Sequence, residues 1–448
     1  MNTLISHSNL LKIKDILSRT LYLLMLSPLL FILVNKLPYL LVISVIFSLI
    51  LGLLFFLTKM SVTSNHREIL GVLLIIFGFI ILSYFFSGQN IRNFFSYSFI
   101  KNDGNFFFCY IMFFAFSTPL FDFRKLADFY FKLTFTIFTF FSVIGIAEYF
   151  LDGNSIMVRV EPYGDKMFYA FNFAHNATGS VYAMVCIFLL VFFLKESKNK
   201  IKLWYLLLLL INLVALFITK SRGSYIGFAA GAIVVLLVNY RSLKKFFIAI
   251  GAMILALIPI IFATGVYKRI SQLFDLEGGT NIVRIVLWKK AWYLFSQSPL
   301  LGIGFGRFND IFSIDRHIFN IDRLKGINNI IEYYPNSQFF FDTAHAHNSY
   351  LQFLTETGIV GMGLLLLFWV LCKIKLFNAY YSTNDEFSSK TFLSAIGSIF
   401  MILILALSEN YLSATTIMIP MSMLISISIG LYWQENILLR QLNSHNDI

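Results

Sequence analysis

The run NIVRIVLWKKAWYLFSQSPLLGIGFGRF (281–308), followed across a polar segment by TAHAHNSYLQFLTETGIVG (343–361), decides how this chain is organised. Nearly everything before it, and nearly everything after, falls into long apolar runs. A polar excursion carrying Arg284, Arg307, His345 and His347 between such runs is where chemistry on a charged substrate belongs. The other candidate place is the short polar hinge KSRGS at 220–224.

Composition fixes the class. Of 448 residues, 58% are hydrophobic and only 13% charged, about half the charged share of an ordinary soluble domain. One or two apolar runs of about 18 residues would pass as buried core helices, but not a dozen. The expected fold is an all-α polytopic membrane protein. The 52 phenylalanines then read as lipid-facing bulk rather than a recognition surface. Cys109, Cys186 and Cys372 lie in apolar spans without ligand-like spacing, which points to neither a disulfide framework nor a metal site. Residues 1–18 lack a cleavage pattern and are followed by many more spans, so they do not read as a removed signal peptide.

Spans are expected at about 20–36, 38–58, 69–86, 104–120, 130–149, 174–194, 202–219, 223–239, 245–264, 350–372, 391–408 and 412–432. That makes about 12 transmembrane helices, with a large loop between the ninth and tenth. The chain divides into a bundle of about nine helices (1–264), the loop (265–349), a three-helix segment (350–432) and a tail (433–448). With the N-terminus in the cytoplasm, every short inner loop carries Lys or Arg, among them Lys59, Arg124, Lys195, Arg241, Lys373 and Lys390. The positive-inside rule therefore puts the 265–349 loop on the outer, periplasmic face and the tail in the cytoplasm. The net charge of +12 is largely an orientation signal, and no nucleic-acid partner is expected.

On this topology Arg222, the long loop and the pair Glu409–Asn410 share the outer face. GIGFGRF (302–308) matches a phosphate loop weakly, because no β-α unit surrounds it. It reads as a turn with Pro299 and Gly302 as breakers, or as a backbone contribution to anion binding. Arg284, Trp288 and Trp292 share one helical face, so tryptophans resting at the membrane interface and an inward arginine are compatible. Two guanidiniums from different segments, Arg222 and Arg284, suit a pyrophosphate through bidentate bonds. His345 and His347 flank Ala346. Without a nearby Cys, Asp or Glu set they are thin grounds for a metal, and an imidazole base that takes a hydroxyl proton at neutral pH fits better. Neither metal nor cofactor is expected. Glu409 is placed to orient His347 or neutralise an arginine. His175–Asn176 repeats the His-Asn pair without its downstream glycines and reads as structural or acceptor-side.

The pieces SRGS (221–224), R-x3-W-x3-W from Arg284 running into PLLGIGFGRF (299–308), and HNSYLQFLTETGIVG (347–361) resemble the bacterial O-antigen ligase and O-antigen polymerase superfamily. The last piece fits the ligase pattern through His347, Asn348, Gly358 and Gly361. Where the family's first arginine is commonly followed after three residues by Leu, this chain has Ile226. The resemblance implies a multi-pass enzyme of the bacterial inner membrane whose active site faces the periplasm among membrane lipid. Its donor would be a glycan on undecaprenyl pyrophosphate and its acceptor lipid A-core (ligase) or another glycan (polymerase). By the same resemblance Arg222 and Arg284 engage the pyrophosphate and His347 activates the acceptor hydroxyl, with Arg307, Asn348 and Glu409 as further substrate-side candidates. Ligase is the expected reading, because His-Asn with two downstream glycines is its more particular pattern. Polymerase is the alternative. A lipid-linked glycan transporter is a second one, though it would call for internal repeats or charges facing the midplane.

Overall fold

A computed structural model describes residues 62–446 apart from 89, 95, 97–102, 118–120, 152–155, 161–164, 171–173, 241, 268, 270–278 and the long stretch 309–344. In chain order the helices are α1 (Ser64–Phe86), α2 (Asn105–Ala115), α3 (Phe123–Phe150), α4 (His175–Lys195), α5 (Asn199–Ile218), α6 (Arg222–Asn239), α7 (Leu243–Ala263), α8 (Gly279–Gln297), α9 (Ser349–Ser382), α10 (Glu386–Leu405) and α11 (Thr415–Asn446). Among the described residues nine of them are long and apolar enough to cross a membrane, all but α2 and α8. The chain is an all-α, multi-pass membrane protein. An antiparallel pair, β1 (Val158–Val160) and β2 (Lys166–Phe168), decorates the connection between α3 and α4.

The expected spans at 20–36 and 38–58 lie outside the described residues, as does most of the 265–349 loop. The span expected at 104–120 is corrected: α2 has 11 residues, about 16 Å of helix against a hydrocarbon core of about 30 Å. Hydropathy extended it through Phe116–Leu120, but the chain leaves the helix at Phe116, three residues before Pro119. α11 runs on through the expected tail to Asn446.

Helix starts follow local chemistry. The Asp122 carboxylate accepts from Lys125 N at the head of α3, and Asp385 accepts from Ser388 N at the head of α10. Each satisfies an orphan first-turn donor. Burial sorts the bundle: 83% of the α4 window and 78% of those of α10 and α11 are inside, against 11% for α7. Thus α4, α10 and α11 are the centre and α7 is periphery. α6 lies against α10 through a four-residue glycine repeat. A Cβ on Gly223 would come within 2.7 Å of Ser408 Oγ, on Gly227 within 2.6 Å of Leu405, and on Gly231 within 2.8 Å of Gly397 O. Small residues at this spacing let membrane helices approach backbone to backbone. The close approach sets Arg222, the first residue of α6, beside the segment that leads into Glu409.

α9 is two helices joined at Gly358, whose φ of 65° and ψ of −168° only glycine adopts without strain. The break exposes backbone groups, and the 299–304 loop satisfies them. Ile359 N and Val360 N donate to Pro299 O and Leu300 O, while Ile303 N and Gly304 N donate to Thr355 O and Glu356 O. Irregular backbone at membrane depth is tolerated where protein completes its hydrogen bonds. The GIGFGRF glycines are thereby accounted for as a turn, with the N–H groups of residues 302–304 all spent on protein carbonyls.

Candidate active site

Three connections meet at one end of the bundle. The loop after α10 supplies Glu409, the residues before α9 supply His345 and His347, and α8 supplies Arg284. Glu409 is the hinge of the group: His347 Nδ1 lies 2.7 Å from its Oε2, and Arg284 Nη2 donates to its Oε1 at 3.1 Å. The Glu409 side chain is 14% exposed, but His347 and Arg284 keep 30% and 26%. The carboxylate sits inside and its two partners face outward.

The charge state follows from the surroundings. Burial alone would raise the Glu409 carboxyl, yet the hydrogen bond from His347 and the charge of Arg284 hold it below its ordinary value. A carboxylate only accepts hydrogen bonds, so the proton of a neutral His347 ring sits on Nδ1 and the lone pair on Nε2. Burial, aided by His347, depresses His345 to about 4 despite the pull of Glu409, so His345 is a neutral neighbour.

Backbone geometry presents the base. His347 has a φ of 45°, a left-handed turn that few non-glycine residues adopt. The turn brings the two imidazole centroids to 4.4 Å, with His347 N reaching His345 Nδ1 at 3.3 Å. Asn348 then caps α9, its side-chain oxygen accepting from Tyr350 N and Leu351 N. That is a structural task for a residue the sequence marked as substrate-side.

Ser349, which sequence reading passed over, clamps the two halves of the site. It is buried; its N–H donates to Ala406 O, and its hydroxyl donates to Glu409 O at 3.0 Å while accepting from Leu412 N at 3.1 Å. Tyr411 hydroxyl donates to Asn176 O, which also accepts from Ser180 hydroxyl. His175 Nδ1 lies 3.2 Å from Thr219 O. The second His-Asn pair therefore braces the ends of α4 and α5 against the Glu409 loop. Behind that loop lies a cleft lined by Asp103, Gln352, Glu356, Asn410 and Ser413. Glu356 is buried there and accepts from Phe308 N and Gln352 Nε2. No spacing rule flags a glutamate inside an apolar helix that accepts from Phe308 N of another segment.

Of the expected residues, His347, Arg284 and Glu409 are in direct contact, and Arg222 is held nearby by the packing of α6 on α10. Arg307 is engaged elsewhere: its Nη1 donates to Ser87 O at the end of α1, where a cation suits the exposed carbonyls. The sequence argument against a metal is also corrected in its premise. His345, His347 and Glu409 each offer one ligand atom, all within 4.8 Å of one another, because folding supplies the acid that the local sequence lacks.

Residues 206–366, which contain Arg222, Arg284 and His347, match the O-antigen ligase family model. Over 230 residues the chain is 27% identical to the teichuronic acid biosynthesis protein TuaE of Bacillus subtilis (strain 168). That match covers 47% of this chain and 41% of the relative. Sequence motifs and the family match agree on this part of the chain: residues 206–366 are similar to the O-antigen ligase family.

Proposed function

We propose that the protein is a polysaccharide polymerase that transfers a glycan from undecaprenyl pyrophosphate to the hydroxyl of a second lipid-linked glycan, at the outer face of the bacterial cytoplasmic membrane. The observation that carries this reading is the Glu409 bridge, which leaves Nε2 of His347 as a base and points the spare donors of Arg284 outward. The acceptor oxygen attacks C1 of the donor sugar and the C1–O bond to the pyrophosphate breaks. The hydroxyl proton passes to His347 Nε2, and undecaprenyl pyrophosphate departs with the bonding electrons. Arg284 and Arg222 stabilise the charge gathering on the leaving group. The N-terminus of α6, where Arg222 sits, adds its own preference for an anion. The activated phosphate bond supplies the driving force, so the step requires neither nucleotide nor resident metal.

Two considerations favour polymerase over ligase. The downstream glycine of the ligase-like pattern, Gly358, is explained by backbone docking on Leu300, which says nothing about the acceptor. The curated relative is named for the synthesis of a polysaccharide, teichuronic acid. The experiment gives purified protein one donor, undecaprenyl-pyrophosphate glycan, and two acceptors in separate reactions. A growing ladder on the lipid carrier is the expected result. Transfer of a whole chain onto lipid A-core makes it a ligase, and transfer to neither acceptor rejects the enzyme reading.

A further inference from the structure

We propose that His345, His347 and Glu409 form a binding site for a zinc-class divalent ion, and that this ion inhibits the enzyme rather than serving it. Inhibition rests on the proposed role of His347 as base; ion binding does not. Two imidazoles and one carboxylate with ligand atoms within 4.8 Å are a donor set that zinc accepts, with a fourth position left open. Nitrogen-rich ligation favours zinc, cobalt or copper over magnesium and calcium, which prefer oxygen alone. The site is built rather than chosen from surface side chains. The left-handed turn at His347 turns both rings together, and Ser349 fixes the Glu409 loop.

The inhibitory consequence follows from the proton. His347 faces Glu409 through Nδ1. An ion inserted between that nitrogen and Oε2 takes the Nδ1 lone pair, so the ring proton moves to Nε2. The nitrogen that accepts the acceptor's proton is then occupied. Nothing is oxidised or lost in this step; one proton changes nitrogen. Arg284 on the other carboxylate oxygen opposes a dication, which suits a reversible ligand rather than a permanent one. His345 gains a purpose here that the transfer chemistry does not give it.

The test uses the full-length protein in detergent, with Co2+ as the spectroscopic probe and Zn2+ as competitor. The wild type is expected to develop visible absorption of four-coordinate cobalt, abolished by one equivalent of Zn2+. His345→Ala, and His345→Gln should the first fold poorly, is expected to weaken binding at least about tenfold. In the transfer assay Zn2+ should suppress wild-type turnover, EDTA should restore it, and His345→Ala should resist the suppression. Absence of the cobalt band in wild-type protein overturns the site. Stimulation by Zn2+, or loss of turnover in EDTA, overturns inhibition and makes the ion a cofactor.

Discussion

Each end of α10 carries a buried charge shared between two partners, and the two arrangements are opposites. Near its start, Lys390 donates to Glu196 at 2.8 Å and to Glu386 at 2.6 Å. Beyond its end, Glu409 is shared by His347 and Arg284. Lys390 stands about 22 Å of helix from the end of α10 at Leu405, most of the thickness of a bilayer core. At the first, one buried cation lies between two anions, Glu196 enclosed and Glu386 at the surface; the Lys390, Glu196 and Glu386 side chains are 8%, 9% and 46% exposed. At the second, the anion is inside and the groups it holds look outward. A buried cation that spends its donors on carboxylates of two segments joins them, whereas a buried anion whose partners keep functional atoms for a substrate prepares a reaction. The difference lies in where the unused donors and acceptors point, not in how many charges are present.

The comparison breaks most sharply at His347. His347→Ala is expected to lower transfer by about 10²- to 10⁴-fold, the range for a missing general base, with donor binding and folded yield retained. Arg284→Lys keeps the charge but loses the fork, so donor affinity should fall along with turnover. Binding of the polyprenyl-pyrophosphate donor is measured beside transfer. Near-normal transfer by His347→Ala would remove the base assignment and leave the two ends of α10 alike.

The other end should respond in the opposite manner. Lys390→Ala leaves Glu196 buried beside a second carboxylate, a loss of about 3 kcal/mol when a buried pair is broken. Folded yield and unfolding midpoint should drop, while turnover per folded molecule stays near wild type. A variant that folds normally but transfers poorly would show that the Lys390 group acts on the reaction after all.

Much of this contrast was legible in the sequence, though unevenly. Charge bias placed Arg222, His347 and Glu409 on one face, and the fold joins them at one end of the bundle. The R-x3-W-x3-W spacing with Pro299 and Gly302 outlined α8, where Trp292 is 61% exposed and Arg284 reaches Glu409. What could not be read depended on partners remote in sequence. Lys390 and Glu196 are 194 residues apart, and Ser349 meets Glu409 across 60. Gly358 stands out in the sequence only through the ligase-like pattern, and its break is hidden because the 299–304 loop that satisfies it is remote in sequence. Hydropathy also overran α2, since it counts Phe116 and Leu120 as membrane and does not register where the backbone turns.

The smallest expected effect separates His345 from its neighbour. Burial holds its folded value near 4, against about 6.5 in the unfolded chain. Above pH 6.5 neither state binds the proton and His345 contributes no pH dependence. As pH falls through 6.5 the unfolded chain takes up a proton that the folded one refuses, so stability is lost down to about pH 4 and then levels. By pH 5 the loss is on the order of 2 kcal/mol. His345→Gln cannot titrate, so it should lose less stability than the wild type between pH 7.5 and pH 5, as read from unfolding midpoints in detergent. The remaining histidines contribute to both curves, and the difference belongs to His345. Parallel curves would mean that His345 is protonated in the folded protein, placing a second cation on Glu409. The carboxylate would then be shared three ways, and the divalent-ion site would have lost a ligand.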